Sequence, residues 1–401
     1  MTGEVRTLYV GTLPPHQGGS AMVAGQVLPG LAALGHRIEA IAPITESALG
    51  AGDPFAAREP EVELSRFVMP YLDSAPDTPP SESYRLQERE EIERLVALGI
   101  EAGPPDVLLI GRESFAPHVV GLAREHSIPT VLLVAGATTM GILNGSYPPP
   151  LAARLLDCCR EVDVSVTSAQ HMRTTLRELG VPDVEVIPNP VDLERFRPAT
   201  RTPAMDAELD LTDGDVVVAH ISNLKSIKRP LDLVDAAEIA LGQNDRLVFV
   251  VLGDGPCRSA VEERSAALGL RTAFRFPGWV EHTRVPEFIN ATDIVVMPSA
   301  GEAQALVYLE TAACERTLIA SDIPAAREVI DDRENGLLFP TGDVPALARA
   351  ILVAAGDPAL RAELGRRARR SVARHSLDQV VAAYARLLES LASGQAARGS
   401  S

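Results

Sequence analysis

Lysine is almost missing from this chain. Of the 37 Lys+Arg side chains in 401 residues, only Lys225 and Lys228 are lysines, and they stand three positions apart. With the abundance of Ala, Leu and Pro, this bias resembles the codon usage of a GC-rich bacterial genome and excludes nothing by itself. Positive charge in general is scarce: 37 cations against 54 Asp+Glu leave a formal net charge of −17, and no basic block interrupts it. Phosphate-backbone contacts need clustered Lys/Arg, so nucleic acid is excluded as a partner. Anionic membrane surfaces are disfavoured, and an acidic substrate would need a local basic pocket.

Aromatic residues make up only 4% of the chain, with one tryptophan, so the core must be aliphatic. The four cysteines, Cys158, Cys159, Cys257 and Cys314, have no metal-ligand spacing, and the adjacent pair cannot easily bridge to itself. They read as buried thiols of a reducing compartment. No window reaches about 18 uninterrupted apolar residues, and the N-terminus lacks a basic segment followed by an apolar one. No integral membrane segment is expected, and the expected location is cytoplasmic.

What is present is an alternation of strand-length apolar runs with helix-period segments, the pattern of parallel βαβ units. The first strand, 8–10, leads through Pro14-Pro15-His16-Gln17-Gly18-Gly19 to Ser20 as N-cap of a helix with Val23, Val27, Leu31 and Leu34 on one face. Gly35 ends that helix, and a strand follows at 38–42. The Pro- and Asp-rich stretch 49–83 has little periodicity and reads as an insertion loop. Helices are expected at 83–102, 117–125 and 151–161, and strands at 107–110, 131–134, 164–167 and, briefly, about 184–187. Two prolines, Pro188 and Pro190, end that strand, and coil is expected to about 216. A second series has strands at 216–221, 248–252, 274–276, 294–297 and 318–321 with helices at 231–241, 259–268, 285–290 and 305–314; helices then dominate to about 391.

The expected fold is α/β, with two Rossmann-like, doubly wound domains facing a central cleft. Their bounds are 1–192 for the N-terminal domain and 193–375 for the C-terminal domain. A helix at 376–392 crosses back to the first domain, and 393–401 is read as a disordered tail. Open sheets of this kind bind ligands at the carboxyl ends of their strands.

Five segments carry chemistry or turn geometry. Gly18-Gly19, opening onto a helix, lets backbone N–H groups approach a phosphate, though two glycines at such a turn also have a purely structural reading. They lack the third glycine of a dinucleotide fingerprint. The stretch from His220 to Pro230 places Lys225, Lys228 and Arg229 at the N-terminal end of a helix. Cations are unfavourable there, so an anion is expected to offset them; a solvated basic turn is the plainer reading. Glu302 and Glu310, were the helix to begin at Glu302, would lie about 80° apart around its axis and face one cleft. Gly253-Asp254-Gly255-Pro256 is a turn with Gly255 at positive φ. Gly278-Trp279-Val280 holds the lone tryptophan, which serves packing or base stacking.

Taken with Gly35-His36, the hinge Ile187-Pro188-Asn189-Pro190-Val191-Asp192-Leu193-Glu194-Arg195-Phe196, Asp293, Pro298-Ser299 and Asn335-Gly336-Leu337-Leu338, these residues resemble the retaining glycosyltransferases of the GT-B fold, family GT4. Nearly the whole chain is covered. The resemblance implies transfer of a sugar from a nucleotide diphosphate sugar, UDP- or GDP-linked, to a small-molecule acceptor in bacterial natural-product or low-molecular-weight thiol metabolism. It implies that Lys225 and Lys228 hold the leaving diphosphate with the amides of Gly18 and Gly19, that Glu302 binds the sugar hydroxyls, and that Glu310 binds the ribose. The backbone at Ala303, Gln304, Ala305 and Leu306 would contact diphosphate and sugar. Ser222, Asn223, Gly253, Trp279 and Val280 complete the donor side. His16, Gln17, Ala135, Gly136 and Thr138 are the acceptor-side candidates. No cofactor and no metal are expected, since a lysine pair replaces the divalent ion, and a homo-oligomer is left open.

Three departures from the family pattern stand out. Ala135 occupies the place of a His that contacts the donor sugar near C6, which suggests a C6-modified sugar or an octose. Ala303 and Ala305 replace glycines. The arginine near Asn223 is missing, with Lys225 as its stand-in. An alternative reading makes the chain a catalytically weakened nucleotide-sugar-binding partner of another enzyme. The departures favour it; the intact Lys225, Lys228, Glu302 and Glu310 oppose it. A sugar-nucleotide epimerase of the same fold is disfavoured by the hinge and the E-x7-E pair.

Overall fold

The structure, a computed structural model, describes residues 4–16, 18–50, 52–69, 82–143, 145 and 148–399. The chain forms two compact units, Met1–Pro190 with Leu377–Ser401, and Val191–Ser376. Among the described residues the strands form two all-parallel sheets.

The first unit contains strands β1 (Arg6–Val10), β2 (Arg37–Ile44), β3 (Val62–Val68), β4 (Val107–Ile110), β5 (Thr130–Val134), β6 (Val164–Thr167) and β7 (Val184–Val186). Its helices are α1 (Gly19–Ala33), α2 (Glu46–Gly50), α3 (Pro54–Arg58), α4 (Glu82–Glu101), α5 (Ala116–Glu125), α6 (Ala137–Leu143), α7 (Pro149–Glu161) and α8 (Gln170–Glu178). The sheet order is β3-β2-β1-β4-β5-β6-β7. Helices cover both faces of such a sheet, so its central strands are apolar throughout rather than alternating. Accordingly Val107, Leu108, Leu109 and Ile110 of β4 are all buried, and Leu8, Val10, Ile92, Val96, Val119 and Leu132 share one core cluster.

Several expectations change here. The stretch 49–83 is not all loop: it contains α3 and β3, which pairs with β2 from Ile38↔Val62 to Ile44↔Val68. The edge position of β3 explains its mixed composition, and Arg66 within it binds Asp53, the N-cap of α3, at 2.7 Å. The Pro/Asp run 74–80 lies outside the described residues. The helix at α1 begins at Gly19 with Gly18 as its cap, while Ser20 Oγ lies 3.4 Å from Thr12 Oγ1.

The second unit contains β8 (Val216–Ile221), β9 (Leu247–Leu252), β10 (Phe274–Gly278), β11 (Ile294–Met297), β12 (Thr317–Ser321) and β13 (Leu337–Phe339), in the order β10-β9-β8-β11-β12-β13. Its helices are α9 (Pro203–Glu208), α10 (Pro230–Leu241), α11 (Arg258–Ala267), α12 (Val285–Asn290), α13 (Leu306–Ala313), α14 (Pro324–Arg327), α15 (Val344–Gly356) and α16 (Pro358–Ser371). Helix α9, capped by Thr202 Oγ1, interrupts the expected coil. Strand β13 interrupts the expected helices: it is only three residues long and pairs Ile319↔Leu337, so it is too short to show a period.

Helix α17 (Leu377–Gly399) returns to the first unit and packs on α1. The fit is close, since a Cβ on Gly30 would stand 2.5 Å from Val381 Cγ2. The helix also runs past residue 393, where a disordered tail is expected. Among the described residues no helix is long and apolar enough to cross a membrane.

Of the cysteines, Cys158, Cys159 and Cys314 are buried, and burial pushes their thiols up to about 11, about 12 and about 12. Cys257 is only half-buried, correcting the expectation for all four.

In each sheet the order reverses beside its first strand: between β1 and β4, and between β8 and β11. Ligands of open α/β sheets bind outside the carboxyl ends of strands at such switch points. Because α17 closes the first unit through residues such as the fully buried Leu388, Leu388→Ala is expected to lower stability by roughly 2–5 kcal/mol, read as a lower urea midpoint.

Candidate active site

In the second unit, β8 delivers a buried histidine to the switch point. His220 Nδ1 lies 3.0 Å from the Val296 carbonyl of β11, and Nε2 lies 2.8 Å from Ser222 Oγ. A carbonyl only accepts, so Nδ1 carries the proton and Nε2 accepts from the Ser222 hydroxyl. Ser222 Oγ in turn accepts from the Leu224 N–H at 3.0 Å. Burial pushes His220 down to about 4, with Lys228 adding to that and the Val296 carbonyl opposing it. The hydroxyl of Ser222, expected on the donor side, is thus engaged within the loop it belongs to.

The same loop rests on the turn after β9. Gly253 and Gly255 have φ of 117° and 152°, and a Cβ on either would fall onto the carbonyl oxygen of Ser222 or Asn223 respectively. Gly253, another expected donor contact, therefore has a packing reason to be glycine. The close approach leaves Asn223 exposed and Lys225 half-buried at the rim.

After Lys225 the chain makes a 3-10 turn, Ser226–Lys228, and Arg229 turns left-handed (φ 49°) into Pro230 of α10. Lys228 Nζ donates to both carboxylate oxygens of Glu302 at 2.6 Å, and Ser299 Oγ donates to Glu302 Oε1 at 2.8 Å. Ala300 N–H to Ile227 C=O at 2.8 Å ties the two loops together. Arg229 pairs with Asp232. The anions beside Lys228 and Arg229 are thus carboxylates of the protein itself, Glu302 and Asp232. Lys225 differs: among the described residues no anion or hydrogen-bond acceptor reaches its ammonium group.

Glu302 does not lie on the helix. Helix α13 begins at Leu306, so the 80° relation between the two acids does not apply; Glu302 belongs to the loop after β11, and Glu310 to the second turn of α13. Neither helix nor strand covers 298–305, and Ala305, in extended backbone, caps α13 without a side-chain bond. Ala303 and Leu306 are half-buried, and Gln304 and Ala305 are buried. Glu310 is buried with Oε1 2.7 Å from His282 Nε2. Trp279 is 45% exposed at the rim, whereas Val280 packs on the core.

In the first unit, Gly18 caps α1 with open space around it: its Cβ would meet only His16 Nε2, at 4.0 Å. Ala135 is exposed, and its N–H donates to Glu113 Oε1 at 3.0 Å. Glu113 is buried and burial pushes its carboxyl up, while the amides of Ala135 and Gly136 pull it down. Gln17 and the side chain of Thr138 lie outside the described residues. Four participants escape sequence reasoning as site residues. His220 sits inside a segment already singled out, and Ser299 is in a motif, so both had a signal; His282 and Glu113 had none.

His220 takes a proton less readily folded than unfolded. Its burial therefore costs nothing above its ordinary 6.5, costs progressively more as pH falls towards about 4, and stays constant below that. His220→Gln is expected to flatten this part of the stability curve, measured by urea denaturation from about pH 7 to about pH 4. The remaining slope includes His118, which burial also lowers to about 4.

Two family models match the chain: Glycosyltransferase Family 4 over residues 17–195 and Glycosyl transferases group 1 over residues 202–371. A D-inositol 3-phosphate glycosyltransferase of Saccharomonospora viridis is 34% identical over 209 residues, 49% of this chain and 48% of that protein. A 2-deoxystreptamine N-acetyl-D-glucosaminyltransferase of Streptomyces fradiae is 34% identical over 188 residues, 46% of this chain and 43% of that one. The matches span about half the length of these relatives. Among solved structures, Anabaena HepE in complex with UDP and glucose superposes with a TM-score of 0.78 at 16% identity, covering 96% of this chain and 100% of that one. That likeness establishes the GT-B fold, and with one family model on each unit, the chain belongs to the family 4, group 1 glycosyltransferases.

Proposed function

We propose that the protein transfers a glycosyl group from a nucleoside diphosphate sugar to a small hydroxylated acceptor, with retention at the anomeric carbon and without a metal ion. The observation that carries this reading is the charge arrangement at the switch point of the second unit. Among the described residues no anion reaches Lys225, Lys228 stands on Glu302, and the N-terminus of α13 lacks a side-chain cap. Breaking a glycosyl–phosphate bond builds negative charge on the leaving diphosphate, so fixed cations and amides are the main requirement.

In this reading the Lys228–Glu302 pair holds the place of the donor. The arriving diphosphate draws Lys228 away and joins it to Lys225, and Glu302 is released to accept hydrogen bonds from sugar hydroxyls. The bond from C1 to the phosphate oxygen breaks, the acceptor oxygen bonds to C1 on the same face, and the departing phosphate takes the acceptor's proton. No protein base is then needed. Glu310 accepts from the ribose hydroxyls, and Trp279 offers a face to the base.

The relatives' names, with inositol 3-phosphate and 2-deoxystreptamine as ring compounds bearing several hydroxyls, support this acceptor class. Exposed Ala135 offers a methyl group where the family has a His, which supports a donor altered at C6. The free cysteines suit a reducing, cytoplasmic setting.

Lys225→Ala and Lys228→Ala are each expected to lower kcat/KM by roughly 10²–10³, with donor hydrolysis releasing nucleoside diphosphate as the readout. If donors bind, seen as a thermal shift, but none is turned over, the chain is a binding partner instead. C6-modified donors are expected to outperform UDP-glucose and GDP-mannose; a preference for the plain hexoses removes the role given to Ala135.

A further inference from the structure

We propose that His282 is a positioning residue for nucleotide recognition: it fixes one oxygen of Glu310 and so aims the other at the ribose. The inference rests on the reading of Glu310 as the ribose-binding acid. His282 Nε2 lies 2.7 Å from Glu310 Oε1, and both side chains are largely shielded, at 19% and 9% exposure. A carboxylate accepts, so Nε2 is the donor. Among the described residues no other hydrogen bond reaches the Glu310 carboxylate, which leaves Oε2 available.

The histidine is itself held. Its ring centroid lies 5.4 Å from that of Phe196, tilted by 50°. Phe196 is buried, and its N–H is bonded to the Asp192 carbonyl at 2.8 Å. On its other side His282 C=O accepts from Val285 N–H at 3.3 Å, at the start of α12. Nδ1 is buried and meets no partner among the described residues, which suits the tautomer with its proton on Nε2. Among the described residues the His282 side chain therefore has one polar contact, and that contact is Glu310.

Trp279 lies three residues before His282 in the same loop, between β10 and α12. One loop thus carries both the exposed aromatic face and the group that orients the ribose acid. A bonded carboxylate loses its freedom to rotate, and a carboxylate so fixed discriminates a ribose hydroxyl from its absence better than a mobile one.

The test uses whichever of UDP and GDP binds the wild type more tightly, together with its 2′,3′-dideoxy form, by calorimetry on the full chain. The wild type is expected to favour the ribose form by at least about ten-fold, and His282→Ala to lose about ten-fold for that form while holding the dideoxy form within about two-fold. His282→Gln, which keeps an N–H donor, is expected to restore most of the difference. If His282→Ala weakens both forms equally, or neither, the positioning role is overturned while the Glu310 reading stands. If the wild type does not distinguish the two forms, or Glu310→Ala leaves its preference unchanged, the Glu310 reading falls and this inference with it.

Discussion

Lys228 and Glu302 are 74 positions apart in the chain, and they meet because β8 and β11 are neighbours in the sheet. That contact, with the Ala300–Ile227 bond, joins the two loops that follow these strands. The two side chains are only 18% and 9% exposed, so each has given up most of its hydration. Such a pair is stabilising only when the geometry is good and further hydrogen bonds satisfy the remaining lone pairs. Here the ammonium spans both carboxylate oxygens and Ser299 supplies a further donor. A partly desolvated pair of this kind contributes little net stability, but it keeps two opposite charges at fixed positions where a ligand of mixed polarity can exchange with both.

Fixed positions require a fixed backbone, and the support comes from neutral groups. The His220–Ser222–Leu224 relay sets the first turn of the loop, and the glycine turn 253–255 lies directly against its carbonyls. Neither the relay nor the packing of Gly253 and Gly255 on the loop carbonyls involves Lys228 or Glu302, so the proposed replacement of Glu302 by a ligand anion leaves both in place. The Ala300–Ile227 bond passes that rigidity to the loop carrying Glu302. In the proposed reading, binding then asks for movement of side chains on a backbone already held, which is what electrostatic preorganisation requires of a site.

The order of strands and helices was legible because doubly wound sheets write themselves into sequence as apolar runs. Strands β4, β9 and β11 are buried along their whole length and so are unmistakable. Two of the four edge strands escaped for the opposite reason: β3 carries Glu63 and Arg66, β13 is three residues long, and neither shows a pattern strong enough to outweigh neighbouring proline or helix. At the site, residues recurring in motifs could be named in advance, but not their partners. Lys228 and Glu302 were both visible; that they bind each other was not, because contact across 74 residues is set by sheet order. The link between Glu113 and the amide of Ala135 is hidden likewise, being a bond to backbone from the end of the adjacent strand.

The scarcity of lysine acquires physical content only with this geometry. Arginine serves for every other cation, including those paired on the surface, where a planar fork and a long stem are adequate. At position 228 the cation must bring one atom within 2.6 Å of both oxygens of Glu302. A guanidinium meets two oxygens with two nitrogens side by side, a wider and flatter arrangement, whereas an ammonium is compact and its three donors rotate about one axis. That rotation is also what an exchange of partners demands, since the same nitrogen can turn from carboxylate to phosphate without moving the backbone. In the proposed reading position 228 asks for a point charge that can change partners, and Lys225, whose ammonium group meets no acceptor among the described residues, adds a second compact charge beside it.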